Sequence, residues 1–208
     1  MSNKQVELVF ILDRSGSMGG LESDTIGGFN GMVKKQKKQS GEAYVTTVLF
    51  DDDYELLHDR EPLKDMKKLT EKEYFVRGCT ALLDAMGKTI TRLKKDQKKR
   101  KAQGEKHDVM FVIITDGMEN ASREYNAEQV KKMVDKMKRK HGWEFIFLGA
   151  NIDAVAAASS VGISADHAAN FQATSKGIRK NFQVVEAAMC SFRDSGSVGA
   201  GWKKELEE

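Results

Sequence analysis

"VELVFILDRSGSMGG" (residues 6–20) runs from an apolar segment straight into a cluster of small oxygen-bearing side chains. Val6 and the run Leu8–Leu12 have strand length and almost no polar interruption, the pattern of a strand buried on both faces of a parallel sheet. "HDVMFVIITD" (107–116) and "WEFIFLGA" (143–150) read the same way. "AYVTTVLFDDDYELLHD" (43–59) reads as two strands joined at a solvated acidic turn, Asp51–Asp53, and supplies the antiparallel edge pair. Helical patterns fill the intervals: Leu21–Gln39, Ala81–Lys101, Ala127–His141, Asp153–Val161 and Ser175–Arg193. In the third of these, Val130, Met133, Val134 and Met137 recur at helical spacing while lysines fill the other side. Strands alternating with helices predict an α/β fold, a doubly wound (Rossmann-like), mostly parallel central sheet with one antiparallel edge strand and helices on both faces.

The 208 residues suit one well-buried domain, 1–208, with 194–208 reading as a flexible end. A net charge of +3 is small for this size and gives no indication of nucleic-acid or membrane binding. No apolar run approaches the ~18 residues of a membrane span, and "MSNKQVELVF" does not read as a secretory signal. Cys79 and Cys190, far apart and outside any metal-like spacing, fit reduced thiols in a cytoplasmic protein.

Ligands of such sheets bind beyond the carboxyl ends of the strands, where strand order reverses. Two core strands end there in aspartate, Asp13 and Asp116. Asp13, Ser15 and Ser17 lie at i, i+2 and i+4, a spacing that aims alternate side chains to one side of an extended or gently turning loop, with Gly16 allowing a tight bend. Carboxylates and hydroxyls suit a hard cation, Mg²⁺ or Mn²⁺ with Ca²⁺ as a further candidate, and the lack of nearby His or Cys argues against zinc. "RGCTALLDA" (77–85) offers Thr80 on a glycine-marked loop just before a helix. A purely structural alternative, in which the aspartates cap helices and the serines satisfy loop backbone, leaves Thr80 and the shared strand-end location unexplained.

The motifs "DRSGSM", "GCTALLDA" and "TDG", in this order, resemble those of von Willebrand factor type A (VWA) domains, and more narrowly the stand-alone bacterial members. The resemblance spans nearly the whole chain. It implies a metal ion-dependent adhesion site (MIDAS) whose ligands fall on Asp13, Ser15, Ser17, Thr80 and Asp116. Cys79 departs from the glycine that many relatives carry before the threonine.

The reading that follows is a non-enzymatic, metal-dependent adaptor or regulatory module. Its ion keeps a position open for a Glu or Asp side chain of a partner protein, and neither membrane nor nucleic acid is the expected partner. The first alternative is a phosphatase-like, metal-dependent hydrolase with Asp13 as nucleophile. Against it, such sites usually carry a second carboxylate two residues on, where this chain has Ser15. The second is nucleic-acid binding through the basic segment 94–106, for which a solvated helix end is the plainer account and an acidic partner another. Gly87-Lys88-Thr89 lacks the first glycine of a phosphate-binding loop, since Leu82 stands there, and reads as helix surface. The four histidines are scattered, and Cys190 reads as a core thiol.

Overall fold

A computed structural model of the chain describes residues 5–105 and 107–207. The strands are β1 (Gln5–Asp13), β2 (Ala43–Phe50), β3 (Tyr54–Pro62), β4 (His107–Thr115), β5 (Glu144–Gly149) and β6 (Ala168–Asn170). The helices are α1 (Glu22–Gln36), α2 (Leu82–Ala102), α3 (Ala127–His141), α4 (Ala154–Ser160), α5 (Ser175–Ser195) and the short α6 (Lys204–Glu207). The sheet order is β3-β2-β1-β4-β5-β6, and only the edge strand β3 is antiparallel to its neighbour. β1 therefore lies at the centre, and the order reverses between β1 and β4.

The apolar run of β1 is partitioned by the two-residue period of a strand. Leu8, Phe10 and Leu12 join the core under α1 and α5, while Val9 and Ile11 join the one under α2, α3 and α4. Phe10 meets Phe29 of α1 edge-on at 5.3 Å between ring centroids, a favoured aromatic geometry. α3 opens with a reciprocal cap: the Gln129 N–H donates to Asn126 Oδ1 and the Asn126 N–H to Gln129 Oε1, both at 2.9 Å.

The expected helices all form, with ends shifted by three residues at most. Four local features differ from the sequence reading. β6, only three residues of small side chains, gave no readable pattern. Gly87 and Thr89 are not helix surface but buried: a Cβ at Gly87 would lie 2.4 Å from Tyr125 Cγ, so glycine admits that ring. Cys190 is half-buried rather than a core thiol, its Sγ 3.2 Å from Gln36 Nε2. The C-terminal stretch docks back: Val198, Trp202 and Leu206 pack on the α1/α5 core, and the Trp202 indole N–H donates to the Asp166 carbonyl at 2.8 Å.

Candidate functional site

β1 and β4 end side by side at the reversal of strand order, which places Asp13 and Asp116 at one crevice. The side-chain alternation expected beyond Asp13 stops at Ser15. Its backbone is extended, but Gly16–Met18 form a single 3-10 turn. That turn folds Ser17 back until its Oγ lies 3.0 Å from Ser15 Oγ.

Three loops meet here. The Thr80 hydroxyl donates to Ser15 Oγ at 3.1 Å, and the Ser17 hydroxyl donates to Asp116 Oδ1 in a short hydrogen bond. Asp13 joins through the Ser15 N–H, which donates to its Oδ1 at 2.7 Å, while Thr115 Oγ1 donates to its Oδ2 at 2.5 Å. Thus Ser15, Ser17, Thr80 and Asp116 form one continuous chain of oxygen contacts, with Asp13 held against its first member.

The supports of this cluster lie mostly outside the motifs. The Gly16 N–H donates to the Gly78 carbonyl, tying the first loop to the second, and the Thr80 N–H donates to Asn120 Oδ1, tying the second to the third. Gly78 is left-handed (φ 65°), and a Cβ there would sit 2.2 Å from Asp52 Oδ2, so any other residue would strain the turn and displace the Asp52 carboxylate that accepts from the Cys79 N–H. The Tyr74 hydroxyl donates to the Asp13 carbonyl at 2.5 Å.

Arg14, fully buried, donates from Nε to Asp51 at 2.8 Å and from Nη1 to Glu55 at 2.6 Å. The acidic turn is therefore not simply solvated. Asp52 and Asp53 are exposed, but Asp51 is buried because it receives Arg14 from one side and Arg77, at 2.7 Å, from the other. Burial alone would raise the Asp51 carboxyl; hydrogen bonds from Arg77, Asp53 and Arg14 outweigh it and hold the carboxyl below its ordinary value.

The electrostatics of the two strand-end aspartates run the other way. Burial pushes the Asp13 carboxyl up against hydrogen bonds from Thr115 and Ser15, and the neighbouring Asp116 adds to the push. Burial likewise raises Asp116 against the hydrogen bond from Ser17. Asp116 Oδ2 is buried with no hydrogen-bond partner among the described residues. Gly117 carries no side chain where a Cβ would lie 2.9 Å from Thr80 Oγ1 and 3.0 Å from Ser17 Oγ. A partnerless carboxylate oxygen, a second raised carboxyl and a gap among hydroxyls fit a small oxygen-liganded cation. Among the described residues no group of three or more His, Cys, Asp or Glu side chains could hold a metal. The candidate donor set here is instead three hydroxyls and two carboxylates.

No protein-family model matches the chain, and no curated protein matches it. Solved structures do. Proximal thread matrix protein 1 of the mussel byssus, in a form with a zinc-occupied MIDAS motif, superposes with a TM-score of 0.64 at 17% identity, covering 90% of this chain and 46% of that one. Manganese-loaded TRAP protein of Plasmodium vivax gives 0.59 at 17% identity over 88% of this chain and 74% of that one. A von Willebrand factor type A protein from Catenulispora acidiphila gives 0.58 at 11% identity over 89% and 42%. The chain thus spans less than half of the mussel and Catenulispora proteins, and it has the VWA fold.

Proposed function

We propose that this chain is a non-enzymatic recognition module in which Asp13, Ser15, Ser17, Thr80 and Asp116 hold one divalent cation for contact with an acidic side chain of a partner protein. The observation that carries the reading is the convergence of three loops on one oxygen cluster, with Asp116 Oδ2 buried and partnerless and Gly117 leaving the adjoining space free. Metal-occupied MIDAS or manganese-loaded forms of two structural neighbours support it. When bound, the ion supplies a Lewis-acidic position for an anionic oxygen from outside. Thr115 and the Ser15 N–H keep the Asp13 carboxylate oriented, and Ser17 orients Asp116.

Met118, 74% exposed immediately after Gly117, offers the partner an apolar contact beside the crevice. The two unpaired thiols suit a reducing, intracellular setting, and no helix among the described residues is long and apolar enough to cross a membrane.

Calorimetric titration of the whole chain with Mg²⁺, Mn²⁺, Ca²⁺ and Zn²⁺ tests the site. One ion per chain is expected, with binding lost in Asp116→Ala and in Asp13→Ala. Affinity capture from extracts with and without chelator then tests the role, the expected result being a protein retained only in the metal-loaded state and not by Asp13→Ala. Turnover of a phosphate monoester that Asp13→Asn abolishes would overturn the module reading in favour of the hydrolase.

A further inference from the structure

The lysines of α2 take no part in the oxygen cluster. The second half of α2 and the C-terminal part of α3 lie side by side at the opposite end of the sheet, and the trough between them has a volume of about 810 Å³. Its apolar surface is the half-buried Met133 together with the methylene stems of the lysines, which lie over the buried Ile90 and Met137. Six lysines line it, Lys94, Lys95, Lys98 and Lys101 from α2 and Lys132 and Lys136 from α3, all exposed. Among the described residues no carboxylate lines the trough, and of its lysines only Lys132 is in an ion pair, with Glu128 at 2.6 Å. His141, at one end, registers the field: burial holds its imidazole below the ordinary value, and Lys101, Lys140, Lys94 and Lys136 lower it further.

Helix-end charge compensation does not account for this arrangement. The dipole effect fades within the last turn, whereas Lys94 stands eight residues before the end of α2 at Ala102. Like charges at i and i+4, such as Lys94 with Lys98, also cost helix stability.

We propose that this groove docks an acidic amphipathic helix of a partner protein. The partner's apolar stripe lies on Met133 and on the lysine stems that cover Ile90 and Met137, and its Asp and Glu rows meet the ammonium groups on either wall. The distance from Ile90 to Lys101 along α2 is about 16.5 Å, room for roughly three turns of helix. A methionine-bearing surface adapts to varied apolar side chains. Nucleic acid suits the trough less well. Phosphates have no use for the apolar contacts at Met133 and the lysine stems, and among the described residues no Phe, Tyr or Trp lines the groove to stack a base. The surface is separate from the oxygen cluster, so one chain can engage two partners at once.

Fluorescence anisotropy on the whole chain tests this with three labelled probes. One is a synthetic helix of about five turns with Glu on one face and Leu at i, i+3, i+4 and i+7 on the other. The others are its scrambled isomer of identical composition and a short DNA duplex. The ordered helix is expected to bind, and the isomer to bind about tenfold more weakly or worse. Lys94→Glu combined with Lys98→Glu and Lys136→Glu should cost a similar factor with an unchanged thermal midpoint. Met133→Asp provides a second, single-site variant should the triple one fold poorly. Asp116→Ala should leave this affinity unchanged, so failure here and failure of the metal site are told apart. Equal binding of the isomer, tighter binding of the duplex, or indifference to the reversed lysines would each overturn the proposal.

Discussion

Gly117 constrains the candidate site through space. Its backbone is not left-handed, so a substitution is limited by space alone, and that space lies among Thr80 Oγ1, Ser17 Oγ and, at 3.8 Å, Ser15 Oγ. Gly117→Ala should therefore spare the fold and damage the site. The expected result is a loss of about 10-fold to 100-fold in Mn²⁺ affinity, with a thermal midpoint close to that of the parent; undiminished affinity in a Mn²⁺ titration would remove this glycine from the argument. The five proposed ligands were legible because each sits in a short motif at a strand end or on a glycine-marked loop. Their supports were not. Thr115 meets Asp13 across 102 residues of sequence, Tyr74 reaches Asp13 across 61, and Arg14 finds Asp51 across 37. No local pattern encodes such pairs, and a buried arginine beside an apolar strand reads as an ordinary surface charge until the partner is placed.

Within elements, periodicity told which faces are buried but not how closely two helices approach. α1 carries Gly27, Gly28 and Gly31, a composition that weakens an isolated helix by roughly 1 kcal/mol per glycine relative to alanine. Gly28 has a reason to be there: a Cβ on it would fall 2.2 Å from Cδ2 of Phe182, so α5 seats a phenyl ring directly on the α1 backbone. Gly27 is exposed, and a Cβ there meets nothing within 4 Å. Two neighbouring substitutions should consequently have opposite signs. Gly27→Ala is expected to stabilise by about 0.5–1 kcal/mol. Gly28→Ala is expected to destabilise by about 1–2 kcal/mol net, because overpacking against Phe182 outweighs the propensity gain. Urea denaturation of the pair decides the matter, and like signs would mean that the helices part easily. The long strands and amphipathic helices were readable for the same physical reason, many residues repeating one constraint. β6 repeats nothing: three small residues owe their pairing to β5 and to the turn before them.

Across the whole molecule, that turn is also where the C-terminus is held. The glycines and serines of "SGSVGAGW" (195–202) disguise an anchor made by a few residues. Trp202 donates to the Asp166 carbonyl, and Lys203 Nζ donates to the carbonyls of Ala165 at 2.8 Å and Ala168 at 3.0 Å. His167, inside the same turn, lies 3.1 Å from Glu144 on β5 and 3.2 Å from Asp166. The contact with Glu144 raises the imidazole above its ordinary 6.5, burial opposes this, and Asp166 reinforces it. Ser164 and His167 hold the Asp166 carboxyl at about 2, so it stays charged throughout the range in which the histidine titrates. A group whose folded value is raised contributes its stability fully below its unfolded value and loses that contribution as pH rises through the folded one. The anchor should therefore be firmest below 6.5 and loosen on the alkaline side as His167 gives up its proton. Amide hydrogen exchange over residues 198–207, corrected for the intrinsic pH dependence, is expected to show protection falling across that interval. His167→Gln should flatten the profile by removing the titrating charge. Protection that stays constant with pH in the parent chain would show that Trp202 and Lys203 hold the terminus without help from the imidazolium.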